Sequence, residues 1–418
     1  MRLGATARDL RRTNRSAVLR EQLLSGETTR QVLADRTGLS LATVGLVIAA
    51  LLRERLVVEV GTQDSDGGRP RTLLRMSADH GVAVGVDVGE DVIRVEAFDL
   101  RWQTKGTVLL PRDRELGDPR SVVDLIGQGV TRVVAEAGVD SRKLLGVGVG
   151  VSGIVERGPD ALVHDVAPGW DGVPLGRMLR EQLGVPVHVD NGAKTMGQAE
   201  MWFGAGQGAR DTVVALLGTG VGAAVFADGR LYRGSQSSAG EWGHTPIVVG
   251  GRTCRCGSRG CLEAYIGGSA LLDRWTEIGG AHQAEALGDE ARLRAILGGS
   301  PADPHRGRLI EEISDYLGAG LATLINLFNP ERIVLAGWVG LLINPAILEA
   351  VKARAAAYAL RQPFDSVDIT LGRLGIDAVA LGAATLVIND LLAVDAEPAD
   401  ALPGIRLLRS REVAADVA

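Results

Sequence analysis

An α/β body preceded by a winged helix-turn-helix is the fold that this 418-residue sequence predicts. Two patterns carry that expectation: strands alternate with helices from Val82 onward, and residues 28–76 read as two short helices followed by two strands. A third feature marks the body. All three cysteines of the chain, Cys254, Cys256 and Cys261, fall within eight residues, and His244 stands just upstream in Gly240-Glu-Trp-Gly-His.

The head is short and basic. Residues 1–75 hold 13 arginines, no lysine and 8 acidic residues, net +5; the whole chain carries −6, so the remainder carries −11. A basic module on an acidic body suits a polyanion partner, although a solvated arginine-rich face has the same composition. Arg8 to Arg20 reads as a first helix, with Val18, Leu19, Leu23 and Leu24 on its core side. Beyond Thr28, Val32 and Leu33 share one face of a second helix, Gly38 ends it, and Ser40 caps a third that runs to about Leu52. Arg55-Leu-Val-Val-Glu-Val and Thr72-Leu-Leu-Arg then form the strands of a wing, with Gly67-Gly-Arg-Pro-Arg as its turn.

In such a module the later helix of the pair enters the major groove and the wing reaches a backbone or the minor groove. Candidate DNA contacts are therefore Arg30, Ser40, Thr43, Arg69 and Arg71. Gly45, Leu46, Ala49 and Ala50 stand where long polar side chains would read bases. Sparse hydrogen-bond readout is expected, with a larger share for phosphates and groove shape. A winged helix used only for protein contacts is the alternative.

After a junction near 77–81, Val82–Val88, Val92–Leu100 and Thr107–Leu110 read as three strands, antiparallel by their short connections. A helix should follow over 119–137. Leu144–Gly153 and Val185–Asn191 are further strands, and a second cycle opens at Thr212 with Leu217-Gly-Thr-Gly-Val-Gly, whose glycines allow close backbone approach. Repetition of the cycle suggests two related lobes around a cleft. The expected division is a head over 1–76, a first lobe over 81–190 with a returning C-terminal helix at about 376–394, a second lobe over 191–375, and a loose tail over 397–418.

Three thiolates and one imidazole complete a tetrahedral shell for Zn²⁺ and leave no position for a catalytic water, so His244, Cys254, Cys256 and Cys261 are expected to hold a structural metal. Three unrelated buried cysteines are the alternative, which such tight clustering disfavours. Without further cysteines or a signal peptide, neither disulfides nor export is indicated, and a cytoplasmic location is expected. The most apolar stretch, Leu41–Leu52, has twelve residues, short of the roughly 20 that a spanning helix needs. No membrane partner is expected.

Gly240-Glu-Trp-Gly-His, Cys254-Arg-Cys-Gly-Ser-Arg-Gly-Cys-Leu-Glu, Leu217-Gly-Thr-Gly-Val-Gly and Ala167-Pro-Gly-Trp together resemble the ROK family of sugar kinases and sugar-responsive repressors, over about residues 3–390. Thr13-Asn-Arg-Ser and the Gly-Arg-Pro wing are similar to its repressor branch, of the xylose and N-acetylglucosamine type; the kinases usually lack the head. The resemblance implies a two-lobe actin-like (ribonuclease-H-like) body, commonly dimeric, with a sugar between the lobes. A homodimer would suit a palindromic double-stranded operator. The resemblance also implies that Asn191, Glu241, His244 and Glu263 contact the sugar. Carboxylates and an amide suit ring hydroxyls, and a metal on one imidazole nitrogen leaves the other for a hydroxyl.

Departures from the family pattern separate regulator from kinase. Gly192 stands where the kinases carry the aspartate that takes the proton from the attacking hydroxyl, a loss of about 10²- to 10⁴-fold in rate unless Asp190 substitutes. Strand alternation points Asp190 away. Asp87-Val-Gly-Glu-Asp places two carboxylates where triphosphate oxygens would lie, and Trp338 follows Ala336-Gly337 where a small residue is expected. Val166 replaces an asparagine of the sugar loop, which implies an unusual, modified or absent ligand. No catalytic residue is therefore assigned. The expectation is a DNA-binding regulator that senses a sugar or sugar derivative; a sugar kinase with a DNA-binding appendage and an effector-independent DNA-binding protein are the rivals.

Overall fold

The structure, a computed structural model, describes residues 7–64, 70–112, 118–281 and 288–393. Arg69, expected to contact DNA, and the tail expected over 397–418 lie outside the described residues.

The head consists of α1 (Ala7–Ser25), β1 (Thr28–Thr29), α2 (Arg30–Thr37), α3 (Leu41–Arg53), β2 (Val57–Gln63) and β3 (Arg71–Met76). Thr29 caps α2 by accepting from the Val32 amide, and Ser40 caps α3 by accepting from the Thr43 amide. Between them Gly38 takes φ 68°, a conformation that glycine adopts freely. The two axes bend by 119° at this turn, within the range of a helix-turn-helix. β2 and β3 pair antiparallel as the wing, and β1 adds to the free edge of β3. No single described helix is long and apolar enough to cross a membrane. Val44, Ile48 and Leu51 of the apolar α3 are instead buried in the head.

The first lobe contains β4 (Val82–Val88), β5 (Val92–Asp99), β6 (Thr104–Pro111), α4 (Pro119–Glu136) and β7 (Leu144–Val151). It continues with three short strands, β8 (Ile154–Val155), β9 (Leu162–His164) and β10 (Val173–Pro174), then α5 (Leu175–Leu183) and β11 (Val187–Asn191). The second lobe has α6 (Gly192–Phe203), β12 (Thr212–Leu217), β13 (Val221–Ala227), β14 (Arg230–Tyr232), α7 (Glu263–Ile266), α8 (Gly268–Glu277), α9 (Asp289–Leu297) and α10 (Pro304–Phe328). It closes with β15 (Arg332–Ala336), α11 (Pro345–Tyr358), α12 (Arg361–Ser366) and β16 (Asp368–Leu371), and α13 (Ala378–Ala393) follows.

The two large sheets repeat one topology. Their orders are β11-β7-β4-β5-β6 and β14-β13-β12-β15-β16. In each, the first three strands form an antiparallel meander and the last two add in parallel to the free edge of the first. The three meander strands of the first lobe are therefore those that the sequence predicts. Proline behind an Asp or Asn cap starts α4, α10 and α11, at Asp118, Asp303 and Asn344.

The last helix returns to the first lobe. α13 lies against β4 and β7 so closely that a Cβ at Gly85 would collide with the Ala380 carbonyl and one at Gly148 with that of Ala383. It also crosses α6, where a Cβ at Gly382 would strike the Thr195 carbonyl. Beyond this crossing, Ala384, Val387, Ile388 and Leu392 join Val18, Leu19, Leu33, Ile48 and Leu74 of the head in one continuous core. The head is thus packed into the body. Trp102, Trp202 and Phe203 cluster at the joint, and the Arg20 guanidinium of α1 lies 5.8 Å from the Trp202 ring.

Candidate functional site

A short segment between β14 and α8 carries most of the chemistry. Glu241 leads into a single 3₁₀ turn, Trp242–His244, and the Trp242 indole donates to the Gly320 carbonyl, which anchors that turn on α10. The chain then folds back on itself through bridges between Pro246 and Cys261 and between Thr253 and Arg259. His244, Cys254, Cys256 and Cys261 converge so that one donor atom from each lies within 4.8 Å of all the others. Cys256 Sγ is 3.8 Å from Cys261 Sγ, and Cys254 Sγ is 3.7 Å from His244 Nδ1. Zinc–sulfur bonds of about 2.3 Å in a tetrahedron place two sulfurs about 3.8 Å apart. This cluster can therefore hold a metal ion. Burial, reinforced by the neighbouring Cys256, Glu263 and Cys261, pushes the Cys254 thiol up to about 12, a penalty that a divalent cation reverses.

The residues expected to bind a sugar lie around this cluster, and two of them, Asn191 and Glu263, also make hydrogen bonds within the protein. Asn191 caps α6: its Oδ1 accepts from the amides of Ala193 and Lys194 at 2.9 and 3.3 Å, and its Nδ2 donates to the Gly153 carbonyl at 2.8 Å. Glu263, 6% exposed, accepts from the Val221 amide at 2.8 Å and from Arg255 Nε at 2.9 Å. Glu241 is half-buried, and burial raises its carboxyl while Lys194 and His244 oppose the rise. His244 turns Nδ1 toward Cys254, which leaves Nε2 for another partner. Val166 is exposed.

Three groups were not singled out by sequence reasoning. Arg255 lies between the metal-ligand candidates Cys254 and Cys256. In the fold its Nη1 reaches Glu90 on the β4–β5 hairpin at 2.7 Å, while its Nε holds Glu263. The guanidinium lies on the glycine loop: a Cβ at Gly220 would come within 2.6 Å of Nη2. Lys194 is 2% exposed and donates to the Ser237 carbonyl; burial lowers its ammonium, and Asp190 and Glu241 oppose that shift. Arg233 takes both oxygens of the buried Asp190. A cavity of about 540 Å³ opens beside this arrangement, lined by Glu90, Thr219, Arg255, Glu263, Ser269 and Asp273 among others. Asn191, Glu241 and His244 do not line it.

One electrostatic expectation changes. Glu90 does not stand unpaired before a nucleotide, because Arg255, which it shares with Glu263, holds it. What occupies the space is the guanidinium itself, together with Trp338, whose ring would collide with a Cβ at Gly268 and lies 3.4 Å from one at Gly218. Gly192 has room: the nearest atoms to an added Cβ are Val151 O at 3.8 Å and Val379 Cγ1 at 3.9 Å.

In the head, Ser40 and Thr43 face each other. Their hydroxyls are 2.9 Å apart. Arg30 pairs with Glu59 of the wing at 3.1 Å, and Arg71 is exposed at the start of β3.

The sequence model of the ROK family matches residues 83–390. The chain belongs to the ROK family. Among its ROK relatives, the xylose repressor of Bacillus spizizenii is 29% identical over 387 residues, covering 92% of this chain and 97% of the repressor. A glucokinase of Halalkalibacterium halodurans is 32% identical over 321 residues, covering 73% of this chain and 94% of the kinase. The crystal structure of a ROK family transcriptional regulator, a homologue of the Escherichia coli MLC protein, matches with a TM-score of 0.72 and 24% identity over 92% of this chain and 97% of the other. The fold is thus that of a ROK protein with its N-terminal extension included. Relatedness to the repressor spans 92% of the chain, whereas relatedness to the kinase spans 73%.

Proposed function

We propose that this ROK protein is a DNA-binding transcriptional regulator, a repressor, whose body senses a sugar or sugar derivative and does not transfer phosphate. The observation that carries this reading is the joining, in one core, of a winged helix-turn-helix to a two-lobe body whose glycine loop is covered by Arg255 and Trp338. Resemblance to the xylose repressor along head and body supports it. The division into a head over 1–76, lobes over 81–190 and 191–375, and a helix returning to the first lobe is part of the proposal.

His244, Cys254, Cys256 and Cys261 hold one structural Zn²⁺, which fixes the cysteine segment that presents Glu241, His244 and Glu263 to the ligand. Arg30, Ser40, Thr43 and Arg71 approach DNA, the serine through the N-terminus of α3. The exposed Arg30–Glu59 pair contributes at most about 1 kcal/mol, so Arg30 can exchange Glu59 for a phosphate at little cost. Two copies bind a palindromic operator, and the ligand acts through its differential affinity for two lobe arrangements. Phosphoryl transfer is disfavoured because Gly192 has no proton acceptor and Asp190 is held by Arg233.

Selection of genomic fragments by the purified protein, with footprinting across a salt series and repetition with Arg71→Ala, tests this reading. A few palindromic sites that persist at physiological salt are expected. Sequence-indifferent binding that salt removes would overturn it. Sugar-dependent ATP turnover, abolished by Glu263→Ala, would favour a kinase with a DNA-binding appendage, a reading to which the glucokinase relative lends weight.

A further inference from the structure

We infer that the exposed face of α3 recognises thymine C5-methyl groups, so that the operator half-sites are specified by apolar contact more than by hydrogen bonds. This inference rests on the regulator reading and names the chemistry of its DNA site. Ala42, Leu46, Ala49 and Arg53 recur at the spacing of a single helical face, and all four are exposed. Leu46 is 76% exposed and Leu41, at the start of the helix, 52%. Gly45 beside them has nothing within 4 Å of an added Cβ, so no neighbouring element covers this part of the helix. The opposite face, with Val44, Ile48 and Leu51, is fully buried in the head.

The polar groups at the start of α3 are occupied locally. Ser40 accepts from the Thr43 amide at 3.2 Å, and the two hydroxyls share a hydrogen bond at 2.9 Å. Arg53, at the far end of the stripe, and Arg55, just beyond it, are exposed and have no carboxylate partner among the described residues. Arg53 Nε donates to the Ala49 carbonyl at 3.4 Å, and an apolar stripe ending in cations without carboxylate partners matches a phosphate-rimmed groove with methyl groups on its floor. In the major groove the only apolar base group is the thymine methyl. Arg53 and Arg55 would hold the flanking backbone and carry no sequence information.

The test uses the full chain and a randomised duplex library. The enriched duplex is remade with uracil in place of thymine, which removes the C5 methyl and leaves every hydrogen-bonding group intact. Enriched half-sites containing thymine runs are expected. Uracil should weaken binding by about fourfold for each methyl covered, with the salt dependence unchanged. In Leu46→Ala, a surface change checked for folding by circular dichroism, the uracil penalty should shrink toward unity. Equal affinity for the thymine and uracil duplexes, or an undiminished penalty in Leu46→Ala, overturns the inference and leaves the regulator reading standing. Failure of any sequence to be enriched overturns the regulator reading and this inference with it.

Discussion

Arg255 and Glu90 lie 2.7 Å apart, Nη1 to Oε1, across 165 residues of sequence. The cysteine segment of the second lobe thereby grips the β4–β5 hairpin of the first. The same guanidinium holds Glu263 through Nε at 2.9 Å, so one arginine ties a carboxylate of each lobe.

That arrangement separates two variants. Glu90 and Arg255 side chains are 32% and 44% exposed, so Glu90→Gln should cost no more than about 1 kcal/mol. It should nevertheless loosen the lobes, measurable as faster hydrogen exchange near 88–92 and 252–256. Glu263→Ala strands the buried Val221 amide and should cost about 1–3 kcal/mol in urea unfolding.

Gly192→Asp should fold normally, since an added Cβ meets nothing closer than 3.8 Å. It should still give no sugar-dependent ATP turnover, because Arg255 and Trp338 continue to cover the glycine loop. A coupled assay on purified Gly192→Asp checks this; robust turnover would identify the missing base as the sole defect.

Chelation should remove one metal per chain and lower the melting temperature, because structural metal binding is coupled to folding. Cys256→Ser should purify with well under one metal per chain by elemental analysis. Full retention of metal would exclude Cys256 as a ligand.

Burial, reinforced by Asp377, pushes Glu96 up to about 7, against the pairing with Arg94. A carboxyl whose folded pKa is raised binds its proton more tightly when folded. Its contribution is full below the ordinary carboxylate range and is lost as pH rises through about 7. Glu96→Gln should therefore raise the melting temperature relative to wild type at pH 8 and give much less benefit at pH 5.

Trp202 is 5% exposed, at the junction of head and body. Trp202→Ala should cost about 3–5 kcal/mol. Calorimetry should record one transition for head and body together in the wild type, because their apolar side chains share a core. Two well-separated transitions would show that the head is an independent unit.

Local signals made much of this protein legible. Alternating apolar strands, Gly38 at the helix-turn-helix and the cysteine spacing each act over a few residues, where backbone sterics and side-chain periodicity dominate. The winged head, the repeated α/β cycle and the convergence of His244 with the three cysteines followed from them. Tertiary structure decided what the polar groups do. Asn191 and Glu263 are residue types that suit a sugar, and in the fold the first also caps α6 while the second also accepts from Arg255 and Val221. Glu90 reads as an unpaired charge until the fold brings Arg255 of the other lobe against it. Sequence specifies which groups are present and how they repeat along the chain; the partner of a charge or an amide is set by distance in space, which only the packing of α6, α13 and the two sheets determines.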